Sequence, residues 1–126
     1  MKLLFIRHGD PDYEIDSLTE KGKREALCLA ERMRNTRVEE CFVSPLGRAR
    51  DTAAPSLKAM GMSAVTCGWL REFSPHIDRP DHPDSPVCWD WVPQDWTGDE
   101  RFYRYDQWYL PEAMQEGHVK EEYDLV

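Results

Sequence analysis

Four apolar residues, Leu3-Leu4-Phe5-Ile6, stand together near the start of the chain and give way at once to Arg7-His8-Gly9-Asp10-Pro11. A short apolar run with so abrupt an end predicts a strand buried on both faces. Gly9 lets the backbone turn sharply there, and Pro11 pushes Asp10 out of the helical region. Residues 12–17 read as a polar loop. Leu18-Thr19-Glu20-Lys21-Gly22 then opens a helix, with Thr19 as N-cap and Glu20 favoured by the helix dipole. Ala26, Leu29, Ala30 and Met33 recur at helical spacing, so this helix is expected over residues 20–35. Gly22 is out of place in its first turn, at a cost of about 1 kcal/mol relative to alanine.

Residues 38–43 supply a second strand, strongest at Cys41-Phe42-Val43. Ser44-Pro45-Leu46 opens a second helix, with Ser44 as its cap. That helix continues from Gly47 through Leu57 to Met60, kinked or interrupted by Pro55, and Gly61 ends it. Ala64-Val65-Thr66-Cys67 is a third strand, and Trp69 to Phe73 leaves its carboxyl end. Strand, helix, strand, helix, strand predicts an α/β fold: an open sheet of parallel strands with helices on both faces. All three strands end on one edge, so Arg7, His8, Ser44, Arg48 and Glu72 are expected to share a crevice there.

From Ser74 the pattern is lost. Pro75, Pro80, Pro83, Pro86 and Pro93 interrupt a stretch that also holds His76, His82 and several aspartates. Neither a regular helix nor a regular strand fits it. Residues 74–111 read as a lid-like insertion rich in aromatics: Trp89, Trp91, Trp96, Phe102, Tyr103, Tyr105, Trp108 and Tyr109. The tryptophans are expected to form a satellite core rather than a ligand platform. Helix resumes from Leu110, with Pro111 in its first turn and the charges of residues 116–124 on its exposed face.

Composition narrows the class. The 126 residues suit one domain, incomplete at its C-terminal end, with 40% hydrophobic and 32% charged residues. A net charge of −8 argues against binding nucleic acid through its backbone, although a local pocket can still be positive. No apolar run approaches the roughly 20 residues that span a bilayer, and the start is not a signal peptide. Cys28, Cys41, Cys67 and Cys88 form no C-x-x-C, which speaks for reduced thiols in a cytoplasmic protein and against a zinc site.

The candidate chemistry is that of an anion. Arginine presents a planar fork of donors that matches phosphate oxygens. A neutral imidazole between such groups can attack phosphorus, and a carboxyl group can protonate the leaving oxygen. Phe5-Ile6-Arg7-His8-Gly9, Leu18-Thr19-Glu20-Lys21-Gly22, Ser44-Pro45-Leu46-Gly47-Arg48-Ala49-Arg50-Asp51-Thr52-Ala53 and Leu70-Arg71-Glu72 occur in that order. Together they resemble the signature blocks of the histidine phosphatase superfamily, the phosphoglycerate mutase-like proteins. The resemblance implies that His8 becomes phosphohistidine, that Arg7, Gly9 and Arg48 bind the phosphoryl group, and that Glu72 is the proton donor and later the base. It implies no metal and no cofactor.

One departure stands out. The family carries a second histidine late in the chain, after a buried strand. Here His118 lies among acidic residues, and His76 and His82 lie in the proline-rich stretch. The expected function is hydrolysis of small phosphomonoesters, with mutase activity less favoured. The alternatives are a catalytically silent member that binds phosphorylated ligands or protein partners, and a non-functional fragment. The expected ligand is a small phosphorylated metabolite, with no nucleic acid and no membrane. An unpaired sheet edge would also favour pairing with a second copy of the chain.

Overall fold

The computed structural model describes residues 1–78, 86–87 and 90–125. Pro80, Pro83, His82, Cys88 and Trp89 lie outside the described residues. The chain divides into two compact units, Met1–Arg71 and Glu72–Val126.

The first unit is built on two helices that pack together, α1 (Glu20–Met33) and α2 (Gly47–Met60). Thr19 caps α1 as expected, its hydroxyl accepting from the Gly22 amide at 3.1 Å. The buried stripe of α1 is Gly22, Ala26 and Ala30, small residues at i, i+4 spacing that let another helix approach, closed by Met33 three positions on. The matching stripe of α2 is polar: Arg48, Thr52 and Ser56 are its buried residues. Gly61 ends α2 in the left-handed region at φ 67°. The helix continues through Pro55 to Met60, so the proline does not interrupt it.

Two strand pairs accompany the helices. The segments β3 (Phe42–Val43) and β4 (Val65–Thr66) are parallel, with Phe42 opposite Val65 and Val43 opposite Thr66. This pair realises the expected α/β arrangement, although each strand is only two residues long. The expected polar loop is instead a short hairpin. Its strands, β1 (Pro11–Asp12) and β2 (Ser17–Leu18), are antiparallel.

The strand expected at residues 3–6 is not formed, and its side chains are not buried. Leu3 is 64% and Phe5 87% exposed. A strand exists only where a neighbour takes its hydrogen bonds, and none of the described residues does so for this segment. Phe42 and Val65 are likewise exposed, so the sheet has no covered face at those positions.

The second unit has its own core of Ile77, Met114 and Val119. Phe73, Trp91, Trp96, Phe102 and Trp108 pack against it. The ring centroids of Trp91 and Trp96 are 5.0 Å apart, and Phe102 meets both edge-on, so these aromatics act as core. Regular structure does occur within the proline-rich stretch: α3 (Pro93–Thr97) and a 3₁₀ turn over Glu100–Tyr103. The closing helix is split into α4 (Glu112–Glu116) and α5 (Val119–Leu125). The break falls at Gly117 and His118, where a Cβ on Gly117 would lie 2.9 Å from the His76 carbonyl oxygen. No helix among the described residues is long and apolar enough to cross a membrane.

Candidate active site

The loop that carries Arg7-His8-Gly9-Asp10 rests on both helices of the first unit. Gly9 donates its amide to the Thr52 hydroxyl at 3.0 Å, and that hydroxyl donates to the Arg48 carbonyl at 2.8 Å. Thr52 is therefore the link between the histidine loop and the turn of α2 that bears Arg48. On the α1 side the Asp10 amide donates to Glu25 at 2.8 Å. The Thr19 hydroxyl donates to the Asp10 carboxylate at 2.6 Å, and the Thr19 amide donates to the Asp10 carbonyl at 3.1 Å. The Thr19 hydroxyl, and after it Lys21 beside the carboxylate, hold the Asp10 pKa below its usual range.

Gly22 is explained by the same seat. A Cβ there would lie 2.2 Å from the Asp10 carbonyl oxygen, so only glycine lets the loop lie on the first turn of α1. Gly47 plays the equivalent part for α2, where a Cβ would lie 2.0 Å from the Asp16 carbonyl oxygen.

His8 is half-buried, and its Nδ1 lies 2.8 Å from the Gly9 carbonyl oxygen. A carbonyl only accepts, so Nδ1 carries the proton of the neutral ring and Nε2 keeps the lone pair. The loop thus fixes which nitrogen can act as a nucleophile.

Arg48 is buried, with 9% of its surface exposed. Its Nη1 donates to Asp16 at 2.7 Å, and the guanidinium carbon lies 5.2 Å from the centre of the Tyr13 ring. Asp16 also accepts from the Gly47 amide at 2.6 Å. Asp16, not Ser44, therefore caps α2: Ser44 reaches only the Leu46 amide, at 3.4 Å. The Gly47 amide is the main cause of a lowered Asp16 pKa, followed by the Arg48 hydrogen bond.

Of the residues expected to form the site, the structure brings Gly9 and Arg48 together through Thr52 and seats His8 on the same loop. Arg7 is exposed. Glu72 is the exposed first residue of the second unit. His76 and His118 are exposed in that unit, His118 at φ 50° and 3.6 Å from Glu121. Cys28, Cys41 and Cys67 are free thiols. Sequence reasoning did not assign roles to Thr52 and Asp16. Thr52 follows Arg48 by one helical turn, a spacing that could have marked it as facing the same way. Asp16 had only its tolerance of the left-handed region to mark it, and it adopts φ 47°.

The family model described as the histidine phosphatase superfamily (branch 1) matches residues 3–104. The chain belongs to this superfamily. Among curated relatives, "Probable phosphoglycerate mutase GpmB" of Yersinia pestis is 32% identical over 111 residues, covering 79% of this chain and 52% of the relative. The protein of the same name from Klebsiella pneumoniae is 29% identical over 94 residues, 68% of this chain and 44% of its own length. The chain thus spans about half the length of the curated relatives it matches. A solved structure titled "Mycobacterial hydrolase 1" is 24% identical with a TM-score of 0.50, covering 69% of this chain and 52% of that one. It supports the histidine phosphatase fold.

Proposed function

We propose that this histidine phosphatase homologue hydrolyses small phosphomonoesters through a phosphohistidine on His8. The observation that carries the reading is the hydrogen bond between His8 Nδ1 and the Gly9 carbonyl, because it leaves Nε2 as the nucleophilic nitrogen. Nε2 attacks phosphorus, the P–O ester bond breaks, and the leaving oxygen takes a proton from Glu72. Water then attacks the phosphorus of the P–N adduct, Glu72 takes up its proton, and inorganic phosphate leaves with His8 restored. Arg48 and Arg7 carry positive charge to the phosphoryl oxygens as negative charge builds there. Transfer to a second substrate, as in a mutase, would require the adduct to be shielded from water, and Arg7 is exposed.

A second reading is phosphate binding without turnover. One experiment separates the two. The protein is incubated with para-nitrophenyl phosphate, and acid-labile phosphoryl adducts are sought by mass spectrometry. Turnover and an adduct on His8, both lost in His8→Ala, are expected. Turnover that survives His8→Ala overturns the phosphohistidine route, and phosphate binding without turnover establishes the second reading.

A further inference from the structure

We propose that Asp16 is a positioning residue for Arg48, so that the β1–β2 hairpin sets the affinity of the site for phosphate. The inference rests on the reading that Arg48 binds the phosphoryl group.

Long arginine side chains carry considerable rotamer freedom, and an arginine that is to meet phosphate in one geometry must have that freedom removed beforehand. The loop between β1 and β2 does this from two sides. Asp16 takes Nη1 at 2.7 Å, and Tyr13 places its ring 5.2 Å from the guanidinium carbon. Asp16 is itself pinned, because its other carboxylate oxygen accepts from the Gly47 amide at 2.6 Å. The hairpin loop, the first turn of α2 and the guanidinium therefore form one connected unit.

A carboxylate beside Arg48 also repels an incoming phosphate, and the two effects oppose each other. Exposure decides between them. The Asp16 side chain is 42% exposed and that of Arg48 10%. Solvent therefore screens the repulsion that reaches the ligand. The hydrogen bond that orients the buried guanidinium is a short-range contact and keeps its effect. Losing the carboxylate should therefore weaken phosphate binding.

The test is titration of the full chain with inorganic phosphate, by calorimetry, for the wild type, Asp16→Asn, Asp16→Glu, Arg48→Ala and the Asp16→Asn/Arg48→Ala double variant. Asp16→Asn should weaken binding about tenfold, the size of one charge-assisted hydrogen bond. Asp16→Glu should restore part of that loss, and Asp16→Asn should have no further effect once Arg48 is alanine. Tighter or unchanged binding in Asp16→Asn overturns the proposal. So does an equal loss in the Arg48→Ala background, which would mark a general structural effect. The Arg48 side-chain NH signals in a ¹⁵N-edited spectrum give a readout that needs no ligand. They should be dispersed and slow to exchange in the wild type and lose both properties in Asp16→Asn. Signals unchanged in Asp16→Asn, in a wild type that binds phosphate, sink the positioning role alone. A wild type that binds no phosphate, or binds it as well without Arg48, sinks the reading of the site instead.

Discussion

Replacing Thr52 by valine isolates the bond that ties the histidine loop to α2. The substitution nearly preserves shape and helix propensity but deletes one hydroxyl. That hydroxyl is in a 5% exposed residue, accepts from Gly9 at 3.0 Å and donates to the Arg48 carbonyl at 2.8 Å. The Arg48 carbonyl loses little, because it also serves as an acceptor in the helix ladder. The half-buried Gly9 amide loses the hydroxyl that accepts from it, an unmet donor that costs about 1–3 kcal/mol when fully desolvated. Partial access of water places the expected loss near the lower end, about 1 kcal/mol. For a unit of this size that corresponds to a fall in Tm of roughly 4–8 °C. Thermal unfolding by circular dichroism reads the stability, and hydrogen exchange at the Gly9 amide reads the local effect. Thr52→Ser, which keeps the hydroxyl, should retain slow exchange at Gly9. A Thr52→Val protein that melts with the wild type and exchanges Gly9 no faster would refute the argument that this bond seats the loop.

Two other outcomes are expected. Gly22→Ala should destabilise the first unit despite a helix-propensity gain of about 1 kcal/mol, because the new methyl would meet the Asp10 carbonyl oxygen at 2.2 Å. Gly68→Ala, with nothing within 4 Å, is the control, and equal denaturant midpoints for the two variants would contradict the close approach. Acid should weaken both units below about pH 4. The native carboxyls of Asp10 and Asp16 have lowered pKa values, and Arg101 holds that of Asp99 at about 2. Between the ordinary and lowered values the unfolded chain binds more protons, so the stability they contribute is present above pH 4 and lost as pH falls through the lowered values. Urea midpoints measured from pH 6 to pH 2 should decline over that window, and a flat profile would refute the assignment.

The helices were readable because their signals are local. The 3.6-residue recurrence through Met33, the Thr19 cap and the Gly61 stop all act within a few residues. The parallel β3–β4 pair was readable as to location, but its two-residue length was not, since strand length is set by neighbours rather than by the strand itself. For the same reason the apolar run at residues 3–6 gave a false expectation of burial. Within the candidate site, residue types alone put His8 and Arg48 forward. The bonds from Gly9 to Thr52 and from Arg48 to Asp16 join residues 43 and 32 positions apart, and the one-turn step from Arg48 to Thr52 was the local mark they left. Gly22 was the one visible anomaly, and its cause turned out to be the loop that rests on it.

The bond from Gly9 to Thr52 joins residues 43 positions apart. Closing a chain segment of that length costs on the order of 3 kcal/mol in entropy, more than one neutral hydrogen bond returns. Assembly should therefore run from scaffold to loop. The two helices must dock first, and the loop that carries His8 takes its seat only after they have done so. During unfolding the same imbalance releases it before the helices separate.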